Sequence, residues 1–155
     1  MSEYSAKISW KRDPAEAFLD NQYSRGHSWA FDGGAVVAAS SAPSIVPLPY
    51  SVEANVDPEE AFIASLSSCH MLFFLAIAGK RGFVIDQYID NAIGIMEKDN
   101  EGKMSMTKVS LRPEATFGGD KQPSLDQLEM MHHQSHDQCF IANSVKTEVV
   151  VNILP

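Results

Sequence analysis

The run of residues 61–78 constrains this chain most. It reads Ala-Phe-Ile-Ala-Ser-Leu-Ser-Ser-Cys-His-Met-Leu-Phe-Phe-Leu-Ala-Ile-Ala, with no helix breaker before Gly79. Asp57-Pro58-Glu59-Glu60 stands directly before it. Asp57 can accept from the free amides of a first turn, Pro58 loses nothing at the first helical position, and Glu60 sits where a capping box wants a carboxylate. A long helix over 61–80 is therefore expected. Its side chains are apolar on nearly every face, and such a helix is expected to be buried all round. A chain of 155 residues is one domain by length, 1–155, and rarely encloses a helix completely. A second copy of the chain is expected to help cover it. Ser65, Ser67, Ser68, Cys69 and His70 interrupt the run at its middle, which reads as a buried helix rather than a membrane span.

The remaining segments supply strands. Residues 4–10 alternate, with Tyr4, Ala6, Ile8 and Trp10 on one face. Residues 27–31 and 35–39 flank Asp32-Gly33-Gly34, a turn signal. Residues 40–55 carry Pro43, Pro47 and Pro49 without a period and read as a long loop. Residues 83–99 and 103–117 read as a hairpin turning at Asn100-Glu101-Gly102. Ser124-Leu125-Asp126-Gln127 is a second capping box, opening a helix that runs to about Cys139, and 146–154 is a final strand. The order is three strands, a long helix, a hairpin, a helix and a strand. That is an α+β domain with antiparallel sheet around a long buried central helix.

Twenty Asp and Glu against twelve Lys and Arg give a formal net charge of −8. Such a surface repels phosphate backbones and anionic lipid, so neither nucleic acid nor a membrane is an expected partner. Residues 1–14 are polar and contain no apolar signal core, and a cytoplasmic protein is expected. The two cysteines, Cys69 and Cys139, are far apart in sequence. In a reducing compartment they are either inert core thiols or a redox pair.

Cys69 lies in the polar interruption of the long helix. Ser-Ser-Cys-His among Phe, Leu and Ile costs burial energy unless those groups meet a cleft or each other. A thiolate there needs a neighbouring cation, since burial alone raises a thiol pKa. Cys139 closes the second helix, where the chain can open. His132, His136 and Cys139 follow a His-x3-His-x2-Cys spacing, a possible metal face, although histidines on an exposed helix are more often surface residues. Neither a phosphate-binding glycine loop nor a Gly-x-Ser-x-Gly elbow is present, and no cofactor is expected.

Asp57-Pro58-Glu59-Glu60-Ala61-Phe62 leading to Ser67-Ser68-Cys69-His70 resembles the Pro-Glu-initiated, cysteine-bearing helix of the OsmC/Ohr family, the osmotically inducible and organic hydroperoxide resistance proteins. Cys139-Phe140-Ile141-Ala142-Asn143-Ser144 is similar to that family's second-cysteine motif, with Phe140 where the family often has proline. The order of elements agrees along most of the chain. The resemblance implies an intertwined homodimer with sites at the subunit interface and a cysteine-based peroxidase acting on organic hydroperoxides. It implies Cys69 as the peroxidatic and Cys139 as the resolving cysteine, joined in a disulfide during turnover and reduced by an external dithiol. It also implies Arg25 as the thiolate-stabilising arginine and Glu59 as the carboxylate that orients it through a bidentate pair. Glu59 and Cys69 are separated by about 15 Å of helix. The glutamate therefore reaches its own cysteine only through an arginine, or serves the cysteine of a neighbouring subunit.

Two other readings stand beside the peroxidase. One is a non-catalytic dimer that binds a hydrophobic ligand, with both cysteines as packing. The other is a metal-binding protein using His132, His136 and Cys139 of the His-rich helix.

Overall fold

The computed structural model describes residues 1–154. The chain forms two compact units, Met1–Ala61 and Phe62–Pro155. In the first, β1 (Ala6–Ser9), β2 (His27–Phe31) and β3 (Val36–Ala39) form an antiparallel sheet in chain order. Ile8 faces Trp29, and Trp29 faces Val37. The β2–β3 turn closes through a Gly34 amide bond to the Phe31 carbonyl, with Gly34 at φ 95°, a conformation open to glycine. Between β1 and β2, Phe18 stacks on Tyr23 at 4.6 Å, and the Trp10 indole donates to the Ser24 carbonyl.

Helix α1 (Pro58–Lys80) starts as its sequence predicts. Asp57 Oδ1 accepts from the Glu60 amide at 2.8 Å, and Glu60 Oε2 accepts from the Asp57 amide. The reciprocal pair satisfies two otherwise orphaned donors.

In the second unit α1 continues, followed by β4 (Val84–Asp90), β5 (Ile93–Lys98), β6 (Met104–Leu111), β7 (Pro113–Gly118), α2 (Leu125–Gln138), a 3-10 turn (Ala142–Ser144) and β8 (Glu148–Val151). The expected hairpin is here four strands. Each long arm breaks at a corner, so β4 pairs with β7 in one sheet while β5 pairs with β6 in another. Asp90 fixes the corner by accepting the Arg112 amide at 2.7 Å, and Arg112 Nε donates to the Asn91 carbonyl. Strand β8 joins β6 in parallel, which departs from the all-antiparallel expectation. Ser124 and Gln127 form the predicted capping box of α2.

Two clusters make the core of this unit. Phe74, Ile77 and Ala78 of α1 pack with Phe83 and Met131, while Leu66 packs with Val109 and Leu111 of β6. Full burial of a side chain such as Phe74 or Leu66 contributes roughly 1.5–3 kcal/mol. Gly94 lets β5 approach α1, since a Cβ there would meet Ile63 and Met106 side chains within 3 Å.

The expectation that α1 is buried on every face is not met within one chain. Leu66, His70, Phe74, Ile77 and Ala78 form the buried stripe. Across the helix Leu72 is 60 % exposed, and Leu75 is exposed as well. One chain packs sheet and α2 against a single stripe of a largely apolar helix, and the opposite stripe stays open.

Candidate active site

Cys69 and Cys139 meet in the second unit. Cys69 is half-buried on α1 in the wall of a cavity of ≈ 480 Å³. Its other walls are Ser65, Ser68, Leu72, Phe73, Ala76 and Phe140, so the lining is apolar apart from two hydroxyls and the thiol itself. Cys139 ends α2 and is 1 % exposed. Its Sγ accepts from the Ala142 amide at 3.4 Å, a bond made possible because the chain turns back as a 3-10 turn just beyond it. Burial pushes the Cys139 thiol up to about 11, and the nearby Cys69 thiol adds to the shift. Both cysteines are free thiols. A solvent-accessible thiol on an apolar cavity lies near a buried, protonated one.

The polar interruption of α1 is thereby accounted for. Ser65 donates to the Phe62 carbonyl one turn back, and Ser67 donates to Asp90. Ser68 and Cys69 open on the cavity. His70, 1 % exposed, turns into the core and bonds His132, 2 % exposed, through Nε2 and Nδ1 at 3.0 Å. The rings lie parallel, and His132 also stacks on Phe74 at 4.0 Å. Burial lowers His70 to about 4 and His132 to about 3, so both are neutral near pH 7. Nothing in the sequence announced this pair, because its members are 62 residues apart.

The suggested metal face dissolves for the same reason. His132 turns to His70, Cys139 turns to Cys69 and Ala142, and His133 pairs with Asp137 at 3.4 Å. Among the described residues no three His, Cys, Asp or Glu side chains converge on a point that could hold a metal ion.

Arg25 and Glu59 meet in the first unit, on the wall of a cavity of ≈ 510 Å³ shared with Trp10, Phe18, Tyr23 and His27. The Arg25 guanidinium lies 3.6 Å above the Tyr23 ring and donates to the carbonyls of Asn21 and Tyr23. Its backbone is held from both sides. The Arg25 amide donates to the Tyr50 carbonyl, and the Arg25 carbonyl is bonded by His27 Nδ1 at 2.7 Å. The tautomer follows: the Trp29 indole can only donate, so His27 Nε2 accepts from it at 3.1 Å and Nδ1 carries the proton. Glu59 Oε2 is buried without a partner, and the expected bidentate pair with Arg25 is not formed. The guanidinium is instead taken by two carbonyls and an aromatic face.

An α+β fold of antiparallel sheets around a long central helix, carrying a thiol pair at that helix, defines a class of small two-cysteine proteins. The chain belongs to the OsmC-like protein family, whose model matches residues 52–154. It is 60% identical to an OsmC-like protein of unknown function from Vibrio cholerae, over 99% of this chain and 100% of that one, with a TM-score of 0.98. An organic hydroperoxide resistance protein OsmC from Legionella pneumophila superposes with a TM-score of 0.67 at 13% identity, over 99% of this chain and 97% of that one. The organic hydroperoxide resistance protein OhrB of Bacillus subtilis gives 0.63 at 15% identity, over 97% and 98%. The latter two show the shared fold. No curated protein matches the sequence.

Proposed function

We propose that this protein is a thiol-dependent peroxidase that reduces organic hydroperoxides to alcohols. The observation that carries the reading is the nearness of Cys69, open on an apolar cavity, to the buried thiol of Cys139. Membership of the OsmC-like family, and the hydroperoxide resistance proteins that share its fold, support it.

The Cys69 thiolate attacks the terminal oxygen of R–O–OH. The S–O bond forms, the O–O bond breaks, and the alkoxide leaves and takes a proton to become the alcohol. Cys69 is then a sulfenic acid. Cys139 attacks its sulfur, water leaves, and a Cys69–Cys139 disulfide remains. An external dithiol supplies the two electrons that restore both thiols, and the reducing cytoplasm is where such a cycle runs. Arg25 is the proposed thiolate-stabilising cation, and Glu59 the carboxylate that orients it.

The native state in this reading is a homodimer, with a second copy laid on the open stripe of α1. Leu72 and Leu75 on that stripe support it, since apolar side chains left in water gain by such cover.

The test is intact mass and thiol counting on reduced protein given one equivalent of cumene hydroperoxide. The expected result is loss of both thiols, a mass decrease of two hydrogens and stoichiometric cumyl alcohol. Retention of both thiols overturns the peroxidase. The apolar lining of the Cys69 cavity would then serve a hydrophobic ligand without chemistry.

A further inference from the structure

Helix α2 turns one stripe of side chains toward α1. His132, Ser135 and Cys139 follow one another at spacings of three and four, and all three are buried. At ~3.6 residues per turn, the step from His132 to Cys139 is nearly two full turns and about 10 Å of rise. The imidazole and the thiol therefore share a face. Opposite them, Cys69 and His70 are neighbours on α1. Cys69 opens on its cavity, while His70 turns into the core and meets His132, Nε2 to Nδ1 at 3.0 Å. The His132 ring also stacks at 4.0 Å on Phe74, one turn further along α1. Ser135 lies between the two contacts. It turns its hydroxyl back onto the Met131 carbonyl at 2.7 Å and so needs no partner on α1. Apolar packing, such as that of Met131 on Phe74, Ile77 and Ala78, tolerates a small slide of one helix along the other. A hydrogen bond does not, because it is lost by about 3.5 Å. Breaking this one would leave two ring nitrogens unsatisfied in the core.

We infer that His70 and His132 are positioning residues for disulfide formation: their hydrogen bond fixes the register of α2 on α1 and so holds the Cys139 thiol within reach of the Cys69 sulfur. The inference rests on the peroxidase reading above and concerns its resolving step. In that step the Cys139 sulfur attacks the sulfur of the Cys69 sulfenic acid. The S–S bond forms, the S–O bond breaks, and the hydroxyl leaves as water with the Cys139 proton. The imidazoles touch none of these atoms. They act through the backbones that carry the two sulfurs. His70 follows Cys69 directly in α1, and His132 stands on the helix that ends at Cys139. Holding two reacting groups in place accelerates their reaction by orders of magnitude, and a misplacement of about 1 Å can remove a hundredfold.

The test is the equilibrium of the reduced full-length protein with glutathione. One oxidised glutathione and the two protein thiols become two reduced glutathiones and the Cys69–Cys139 disulfide. The equilibrium gives the effective concentration of one thiol at the other without any peroxide. A second readout is the fraction of Cys69 that dimedone traps after one equivalent of cumene hydroperoxide, since trapping competes with disulfide closure. An asparagine amide falls where Nδ1 of histidine stood, and a glutamine amide where Nε2 stood. His132→Asn and His70→Gln keep the bonding atom in place and should stay within about threefold of wild type in effective concentration. His132→Gln and His70→Asn displace it and should lower the effective concentration roughly tenfold, with a larger trapped fraction. A merely structural role predicts no such crossing between the two positions, because all four variants lose a ring. The double variant His70→Leu/His132→Phe removes both polar partners while keeping the packing. It should behave as the displaced pair does, and it decides the matter if the single variants fold poorly. Equal values across the four single variants, or a double variant at the wild-type value, with wild-type Cys69 still oxidised by peroxide, overturn the role of the histidines and leave the peroxidase standing. Failure of cumene hydroperoxide to oxidise wild-type Cys69 overturns the peroxidase, and this role with it.

Discussion

His70 Nε2 and His132 Nδ1 lie 3.0 Å apart inside the core, joining α1 to α2 through one hydrogen bond. Neither ring is charged near pH 7, because burial has lowered His70 to about 4 and His132 to about 3. The sign of the linkage follows. Above the ordinary histidine value, about 6.5, both rings are neutral folded and unfolded, and the pair's contribution is whole. Below it the unfolded chain takes up protons that the native pair refuses. Stability is then lost towards acid, at up to about 1.4 kcal/mol per histidine per pH unit, until the native values are reached. Urea midpoints at pH 7.5, 6 and 5 should fall in that order. The double variant His70→Leu/His132→Phe, which removes both polar partners together, should flatten the profile. A wild-type midpoint constant from pH 7.5 to 5 would show that the pair is not held neutral.

Arg25→Ala is expected to slow Cys69 oxidation by roughly tenfold or more if Arg25 is the thiolate-stabilising cation proposed above. The same variant should cost about 1 kcal/mol or less of stability, since the guanidinium bonds only to the Asn21 and Tyr23 carbonyls and rests on one ring. Thiol pKa by iodoacetamide rate, together with thermal unfolding, separates the two effects. A thiol pKa and a rate both equal to wild type would mean that Arg25 does not serve Cys69.

The parts of this fold legible in the sequence are those fixed by neighbours along the chain. Asp57 with Glu60, and Ser124 with Gln127, are three residues apart, and each pair starts its helix where the spacing places it. The nearness of Cys69 to Cys139 has no local pattern to announce it, since the two stand 70 residues apart, one on α1 and one at the end of α2. What escaped is non-local. The corner that splits one hairpin into two sheets depends on Asp90 reaching the Arg112 amide 22 residues away. The parallel seating of β8 on β6 has no turn signal to announce it. His132 looked like a surface ligand because His136 follows one turn later. Only the arrival of His70 from another helix turns it inward. Phe140 looked like a departure from the family motif, and its position beside Phe73 is visible only in three dimensions.

Sedimentation of the wild-type protein at micromolar concentration should give twice the chain mass. Leu72 is 60 % exposed on the open stripe of α1, so Leu72→Asp should leave the monomer folded while placing a charge in the contact. An unpaired buried carboxylate costs several kcal/mol, enough to move the variant to the monomer. A wild-type monomer with full helical content, or a Leu72→Asp variant that remains dimeric, would remove this stripe from the interface.

Cys69 and Cys139 are expected to differ in role and not merely in reactivity. Cys139 is sealed from solvent, and its thiol is pushed up to about 11, so a peroxide neither reaches it nor meets a thiolate there. Cys69 opens on the cavity and is the sulfur a peroxide can approach. Cys69→Ser should therefore abolish peroxide consumption. Cys139→Ser should consume one equivalent and stop, leaving a Cys69 sulfenic acid that dimedone traps and that excess peroxide drives to sulfinic acid. Peptide mapping after dimedone places the label. Normal cycling of Cys139→Ser with a dithiol reductant would mean that no intramolecular resolving step exists. Undiminished activity in Cys69→Ser would place the reacting sulfur elsewhere and remove the basis of the peroxidase assignment. The intermediate case is equally decisive. A label on Cys69 in Cys139→Ser that is absent from wild type shows that the buried thiol near Cys69 captures the sulfenic acid before dimedone does.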